Sequence, residues 1–341
     1  MGDDGTADGA ATNATTAADG SATNRAAADR AAADRAAADR AAADTGCQAA
    51  PGQSFAGLVY GLLAYGMWGL FPLYWPLLEP AGAFEIVAHR SLWSLVFLAL
   101  VVTLTRSWRI VGRTYRNPRQ RWLLLAAAFL VAVNWCGYIW AVLNGHIVEA
   151  SLGYFINPLV SVLIGVVALG ERLRRAQWLA VALAVAAVVV LTFGYGHPPW
   201  IGLMLASSFA LYGLVKKLAD VPAVPSLTVE TSFMAPIAIG FLLVLSSTGS
   251  GHFLDSATMT ALFVSAGVVT ALPLLAFGAA AVRLPLTSIG LLQYLTPVVQ
   301  FLLGVIVFSE QMSPVSWAGF VVIWVALTVF SVDAFRHAGR R

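Results

Sequence analysis

Apolar positions run along this chain in long unbroken blocks, not in the i, i+3, i+4 stripe of a helix with one wet face. From Phe55 onward ten blocks follow one another, at roughly 56–75, 84–104, 122–143, 150–169, 176–194, 199–215, 227–247, 257–279, 286–307 and 314–333. Each is close to the ~20 residues that a helix needs to cross a ~30 Å hydrocarbon core. The pattern predicts an all-α membrane protein with ten transmembrane helices, placed multi-pass in the cell membrane. Composition agrees: with 59% hydrophobic and 11% charged residues, the chain has too little charge to cover a water-facing surface.

Residues 1–53 are a different material, rich in Ala, Asp, Thr, Asn and Gly, with Arg-Ala-Ala-Ala-Asp repeated between Arg25 and Asp44. Alanine favours helix, but a five-residue period walks the charges round the axis and leaves no apolar face. The expectation is a disordered or isolated-helix tail without a core. It has no apolar h-region, so no signal peptide is read there.

The polar residues between blocks set the orientation. Arg106, Arg109, Arg113, Arg116, Arg119 and Arg121 separate the second and third blocks, and Arg172, Arg174 and Arg175 the fourth and fifth. Lys216 and Lys217, Arg283, and finally Arg336, Arg340 and Arg341 fall on the same side. The opposite loops, near residues 80, 146, 197, 252 and 311, hold no Lys or Arg. Positive charge stays cytoplasmic, which predicts both termini in the cytoplasm.

The chain also repeats itself. Ser151–Trp178 aligns with Gly290–Trp317 so that Pro158 meets Pro297, Gly165 meets Gly304, Glu171 meets Glu310 and Trp178 meets Trp317, always 139 residues apart. Internal repeats of this kind define a fold. Two units of five spans enter the membrane from opposite sides, so the prediction is a pair of inverted five-helix repeats at 54–194 and 195–335, followed by a basic cytoplasmic tail at 336–341. Glu171 then falls at the cytoplasmic surface and Glu310 at the outer one. Inverted repeats are common in secondary transporters, whose solute site lies near the midplane where the units meet.

Several segments look like a known family: WGLFPLYW (68–75), FEIVAHRSLWS (84–94), NWCGYIWAVLNGHIVEASLGYFINPLV (134–160), LGERLRRAQWLAV (169–181), SFALYGLVKK (208–217), VETSFMAP (229–236), AGVVTALPLL (266–275), LLQYLTPVV (291–299) and VIWVAL (322–327). In these the chain resembles the drug/metabolite transporter superfamily with paired EamA domains, and more narrowly its RarD-type, chloramphenicol-sensitive branch. The likeness covers nearly everything after residue 55. It departs at Ser309-Glu310-Gln311, where the second repeat more usually has Gly-Glu. The resemblance implies a multi-pass carrier of small molecules or drugs, and tilts the direction towards export.

Candidate chemistry starts at the two prolines. A mid-helix Pro removes one hydrogen bond and displaces the carbonyl four residues earlier, here those of Tyr154 and Gln293. Freed carbonyls in a membrane must be satisfied by protein, water or ligand. Tyr154, Asn157, Gln293, Tyr294 and Thr296 therefore form a candidate solute site; the alternative is that Pro158 and Pro297 merely kink packed helices. Glu85, His89 and Arg90 open the second block, and Arg90 is read as the one basic residue inside a span. Ionisable groups at such depth usually face a pathway or a partner. Arg90 binds an anionic group, or stacks on Trp68 or Trp93, or else forms a structural pair with Glu85. Glu85 and His89 are candidates for ion coupling. Asn134 and Tyr138 lie near one stripe of the third block, suited to a pocket or to helix packing. Glu230 is a further candidate for proton coupling, since burial raises a carboxyl pKa, whereas Glu149 suits a helix N-terminus. Gly57 and Gly61 form a small-xxx-small pair compatible with a homodimer.

The expected partners are a small-molecule solute and membrane lipid, with no nucleic acid. Neither a cofactor nor a metal is expected, because the five His are scattered and no H-E-x-x-H occurs. No G-x-x-x-x-G-K-[ST] loop supports direct ATP coupling, so the expected drive is a proton gradient. The rival readings are a non-transporting sensor or assembly protein, and a membrane-embedded lipid-modifying enzyme.

Overall fold

A chain inside a bilayer must satisfy its own backbone groups, and helices do so segment by segment. The structure, a computed structural model, describes residues 51–169, 173–281, 283–284 and 286–338. The repetitive tail up to residue 50, Glu171, Arg172, Arg340 and Arg341 lie outside them. The helices are α1 (Pro51–Gly69), α2 (Phe71–Tyr74), α3 (Ala83–Leu104), α4 (Trp108–Arg116), α5 (Pro118–Leu143), α6 (Ile147–Leu169) and α7 (Arg175–Tyr195). They continue with α8 (Trp200–Ala219), α9 (Ala223–Thr248), α10 (Ala257–Ala281), α11 (Leu286–Leu292), α12 (Leu295–Leu302) and α13 (Pro314–Ala338). No strand occurs among the described residues.

Among the described residues nine helices are long and apolar enough to cross a membrane, and a tenth span is made if α1 and α2, bent by 46° at Leu70, count as one. Ala56–Arg341 form one compact unit. In it α3 packs on α9 and α10, α6 on α8, α5 on α8, and α7 on α13. Helices α9, α10, α11 and α13 begin 139 or 140 residues after α3, α5, α6 and α7. So α3 with α9, and α7 with α13, are helices of that same spacing packed on each other.

Close approach at the α6–α8 crossing depends on two missing side chains. A Cβ on Gly153 would lie 2.7 Å from the Gly202 carbonyl oxygen, and one on Gly202 would lie 3.0 Å from that of Glu149. The Gly57–Gly61 face is likewise occupied from within. A Cβ on Gly61 would sit 2.5 Å from Leu292 Cδ1, and one on Gly57 2.9 Å from Arg283 and Leu284. That surface is therefore spent on the fold and is not left open for a second copy.

The two proline-bearing spans differ. α6 runs through Pro158 as one helix. The ninth span is broken instead: α11 ends at Leu292, and α12 restarts at Leu295 with Pro297 in its first turn, where a missing N–H is tolerated. A π-helical turn at Leu303–Val307 closes that span. The arginine-rich segment after the second span, read from sequence as a loop, contains the short helix α4 with Val111 and Thr114 buried. Asn117 then starts α5, its side chain accepting from the N–H groups of Arg119 and Gln120 at 3.1 and 3.3 Å.

Candidate functional site

Arg90 is the eighth residue of α3, roughly 10 Å along the helix by its rise, and only 4% of it is exposed. Its guanidinium carbon lies 3.8 Å from the ring centre of Trp135, 5.2 Å from that of Trp75 and 6.0 Å from that of Phe71. No carboxylate answers it among the described residues, and its Nε is buried without a hydrogen-bond partner. A desolvated cation–π contact is worth about 2 kcal/mol, while a central Arg costs about 2.5–3.5 kcal/mol on insertion scales. An unmade buried hydrogen bond adds about 1–3 kcal/mol. The ring contacts leave Nε without an acceptor, and that unmet donor is available to an anion.

Two of the sequence readings of Arg90, stacking on Trp68 or Trp93 and pairing with Glu85, are not realised. It stacks on Trp135, Trp75 and Phe71 rather than on Trp68 or Trp93. Glu85 turns away from it, accepting from the backbone N–H of His252 at 2.7 Å and facing His252 Nδ1 at 2.9 Å. His89 lies against Phe253 and Phe263, ring centres 4.6 and 4.4 Å apart.

Around Arg90 the other candidates divide. Tyr138 and Tyr154 are close enough to act on its charge, and their rings meet edge to face at 5.7 Å. Gln300, which sequence reasoning missed, donates from Nε2 to Tyr138 Oη at 2.9 Å and to the Trp68 carbonyl at 3.2 Å. Thr296 donates to the Tyr65 carbonyl at 2.8 Å. Tyr65 is in turn edge-on to Trp68 at 5.4 Å. These bonds bind α12 to α1, next to the broken ninth span. Asn157 Oδ1, Gln300 Oε1 and Trp75 Nε1 are buried without partners. Asn134 is committed elsewhere: its amide donates to the Leu205 carbonyl and to Ser208 Oγ, both at 3.0 Å, locking α5 to α8. Gln293 is half-buried at the break. Tyr294 lines an open groove with Phe155, Trp324 and Ser331.

Glu230 is the eighth residue of α9 and fully buried. Lys216 Nζ donates to its Oε1 at 2.6 Å, Ser226 Oγ to the same oxygen at 2.8 Å, and Tyr212 Oη to Oε2 at 2.9 Å. Lys216, read from sequence as a loop charge, therefore belongs to the helix, in the last turn of α8. Lys216 at the start of the polar loop was the available signal, since a long side chain there can reach back along its helix.

A third group of carboxylates sits at the ends of helices. Glu310 accepts from the N–H groups of Ile147 and Val148, at 2.6 and 2.9 Å, on the first turn of α6. Glu149 accepts from the Ile201 N–H at 2.9 Å on the first turn of α8. Each thus answers orphan amides at the positive end of another helix. Burial pushes the Glu310 carboxyl up, and the two amides it accepts pull it back down.

Comparison with known proteins fits this architecture. The model of the EamA-like transporter family matches residues 55–193. The chain is 53% identical to Protein RarD of Streptomyces exfoliatus, over 80% of this chain and 87% of that protein. It is 46% identical to the uncharacterized transporter YojE of Bacillus subtilis, over 78% and 90% of the two chains. It is 33% identical to the chloramphenicol-sensitive protein RarD of Pseudomonas aeruginosa, again over 78% and 90%. One protein of known crystal structure superposes with a TM-score of 0.52 at 20% identity, covering 82% of this chain and 98% of its own, which speaks for the fold alone.

Proposed function

Because the chain belongs to the EamA-like transporter family, among its RarD-type members, we propose that this multi-pass membrane protein is a secondary carrier of a small organic solute. It works by alternating access of two inverted halves, 54–194 and 195–335, with both termini in the cytoplasm. Transport runs as export and is coupled to protons. The observation that carries the reading is Arg90, an ionisable group buried inside a span with no carboxylate partner among the described residues and with its Nε unpartnered. Such groups mark solute or ion pathways.

The constant spacing of helix starts and the packing of α3 on α9 and of α7 on α13 support the two-fold arrangement. The solute site comprises Arg90 with Trp68, Tyr138, Tyr154 and Asn157 on one side, and the break at Gln293, Tyr294 and Thr296 on the other. Pro158 and Pro297 give the two equivalent spans different stiffness there. Glu230 is the proton-coupling group, since protonating it would release Lys216 and Tyr212 from α9; Glu85 and His89 at the start of α3 are further candidates for the same role.

Two measurements test this. Single cysteines at Leu173 and Gln311, probed with an impermeant maleimide in cells, should label from opposite faces; labelling from one face removes the inverted arrangement. In proteoliposomes of the full chain, an imposed pH gradient should drive a labelled organic solute in wild type and not in Arg90→Met. Equal flux in the two would move the solute site away from Arg90.

A further inference from the structure

We propose that the solute held at Arg90 is a small monocarboxylate. The inference rests on the carrier reading for the site's purpose, but its chemistry comes from the residues themselves.

Arg90 supplies one positive charge, and the groups placed to feel it are Tyr138, Tyr154 and Cys136, all neutral in their ordinary state. Glu85, the acid on the same helix, is already held by His252. The protein groups around Arg90 therefore leave one positive charge uncompensated. A monoanion makes it neutral. A dianion or a polyphosphate would leave net negative charge in the same apolar surroundings, and an amine would add a second positive one. Burial penalises any net charge left unpaired, so charge alone selects the monoanion.

Geometry narrows the class further. Trp135 lies 3.8 Å from the guanidinium carbon and covers its face. A ligand that pairs with the charge has to meet the N–H groups of the fork, of which Nε is buried and unpartnered. An in-plane fork matches the two oxygens of a carboxylate. Trp75, 5.2 Å away, also leaves its Nε1 buried without an acceptor, which gives a second unused donor beside the first. Aromatic cages usually take up a ligand's cation. Here the protein's own cation occupies the rings, and the preference is reversed.

The test uses the full chain purified in neutral detergent and measures binding, not flux. Benzoate, propanoate and lactate are compared with benzamide, benzylamine, phthalate and chloride. Melting temperature and tryptophan emission are both read, because Trp75 and Trp135 flank the site. At least one monocarboxylate should raise the melting temperature by mass action and alter tryptophan emission. Benzamide, benzylamine and phthalate should do neither. Arg90→Met should weaken that carboxylate at least ~tenfold, and Arg90→Lys, which keeps the charge without the fork, should fall between. The proposal is overturned if benzamide or chloride matches the best carboxylate, if Arg90→Met binds as wild type does, or if no carboxylate acts. Any of these leaves the carrier reading standing. A carboxylate that binds through Arg90 and never crosses a vesicle wall would sink the carrier reading alone.

Discussion

Arg90 and Glu230 are each the eighth residue of a helix, α3 and α9, and the two helices pack together. They are opposite in charge and opposite in treatment. Glu230 is fully buried and held by Lys216, Ser226 and Tyr212. Arg90 is as deeply buried and meets only ring faces. On α9 the buried charge is met by side chains of the chain itself, and on α3 it meets no carboxylate among the described residues. A buried ion thus says little by itself; whether its partners come from the chain decides what it does.

The contrast can be broken by mutation. Glu230→Ala should do the greatest damage, because it strands Lys216 in an apolar setting; losing one member of a buried pair costs about 3–5 kcal/mol. A thermal melt in detergent reads this, and a change below ~1 kcal/mol would mean that the pair is not buried in the native protein. Tyr212→Phe deletes one bond to a charged acceptor and should cost about 1.5–3 kcal/mol, with the loss absent when Glu230 is already Gln. Arg90→Met should move stability least, by no more than the ~2 kcal/mol of the ring contact it gives up, since it strands no carboxylate and keeps an apolar side chain against Trp135. Should Arg90→Met unfold the protein as readily as Glu230→Ala, the two buried charges are not different in the way described.

The spans were legible in sequence because hydrocarbon thickness imposes one length on every apolar block. The ten blocks at 56–75 through 314–333 coincide with the helices to within several residues, and the bent first span and broken ninth span are the departures. Arg90, Glu85 and Glu230 stood out for a similar reason: a charge is conspicuous where charges are rare. Their partners were not readable. Glu85 meets His252 across 167 residues of chain, and Asn134 meets Leu205 across 71. Those encounters are fixed by helix packing, which periodicity does not encode. The prolines teach the same lesson. Pro158 and Pro297 align in the repeat, yet one sits inside a continuous helix and the other begins a new one. Gln300 and Tyr65 were missed because a lone amide and a lone tyrosine in apolar blocks carry no local signal of the bonds they will make.

The carboxylate of Glu310 closes the first turn of α6 from 163 residues further along the chain. A ribosome adding ~5–20 residues per second takes roughly ten to thirty seconds to cover that distance. Until then the amides of Ile147 and Val148 have to wait in the translocon or the lipid headgroups for an acceptor not yet made. The order of synthesis therefore leaves the leading half unfinished at one rim, and the trailing half arrives carrying the piece that seals it.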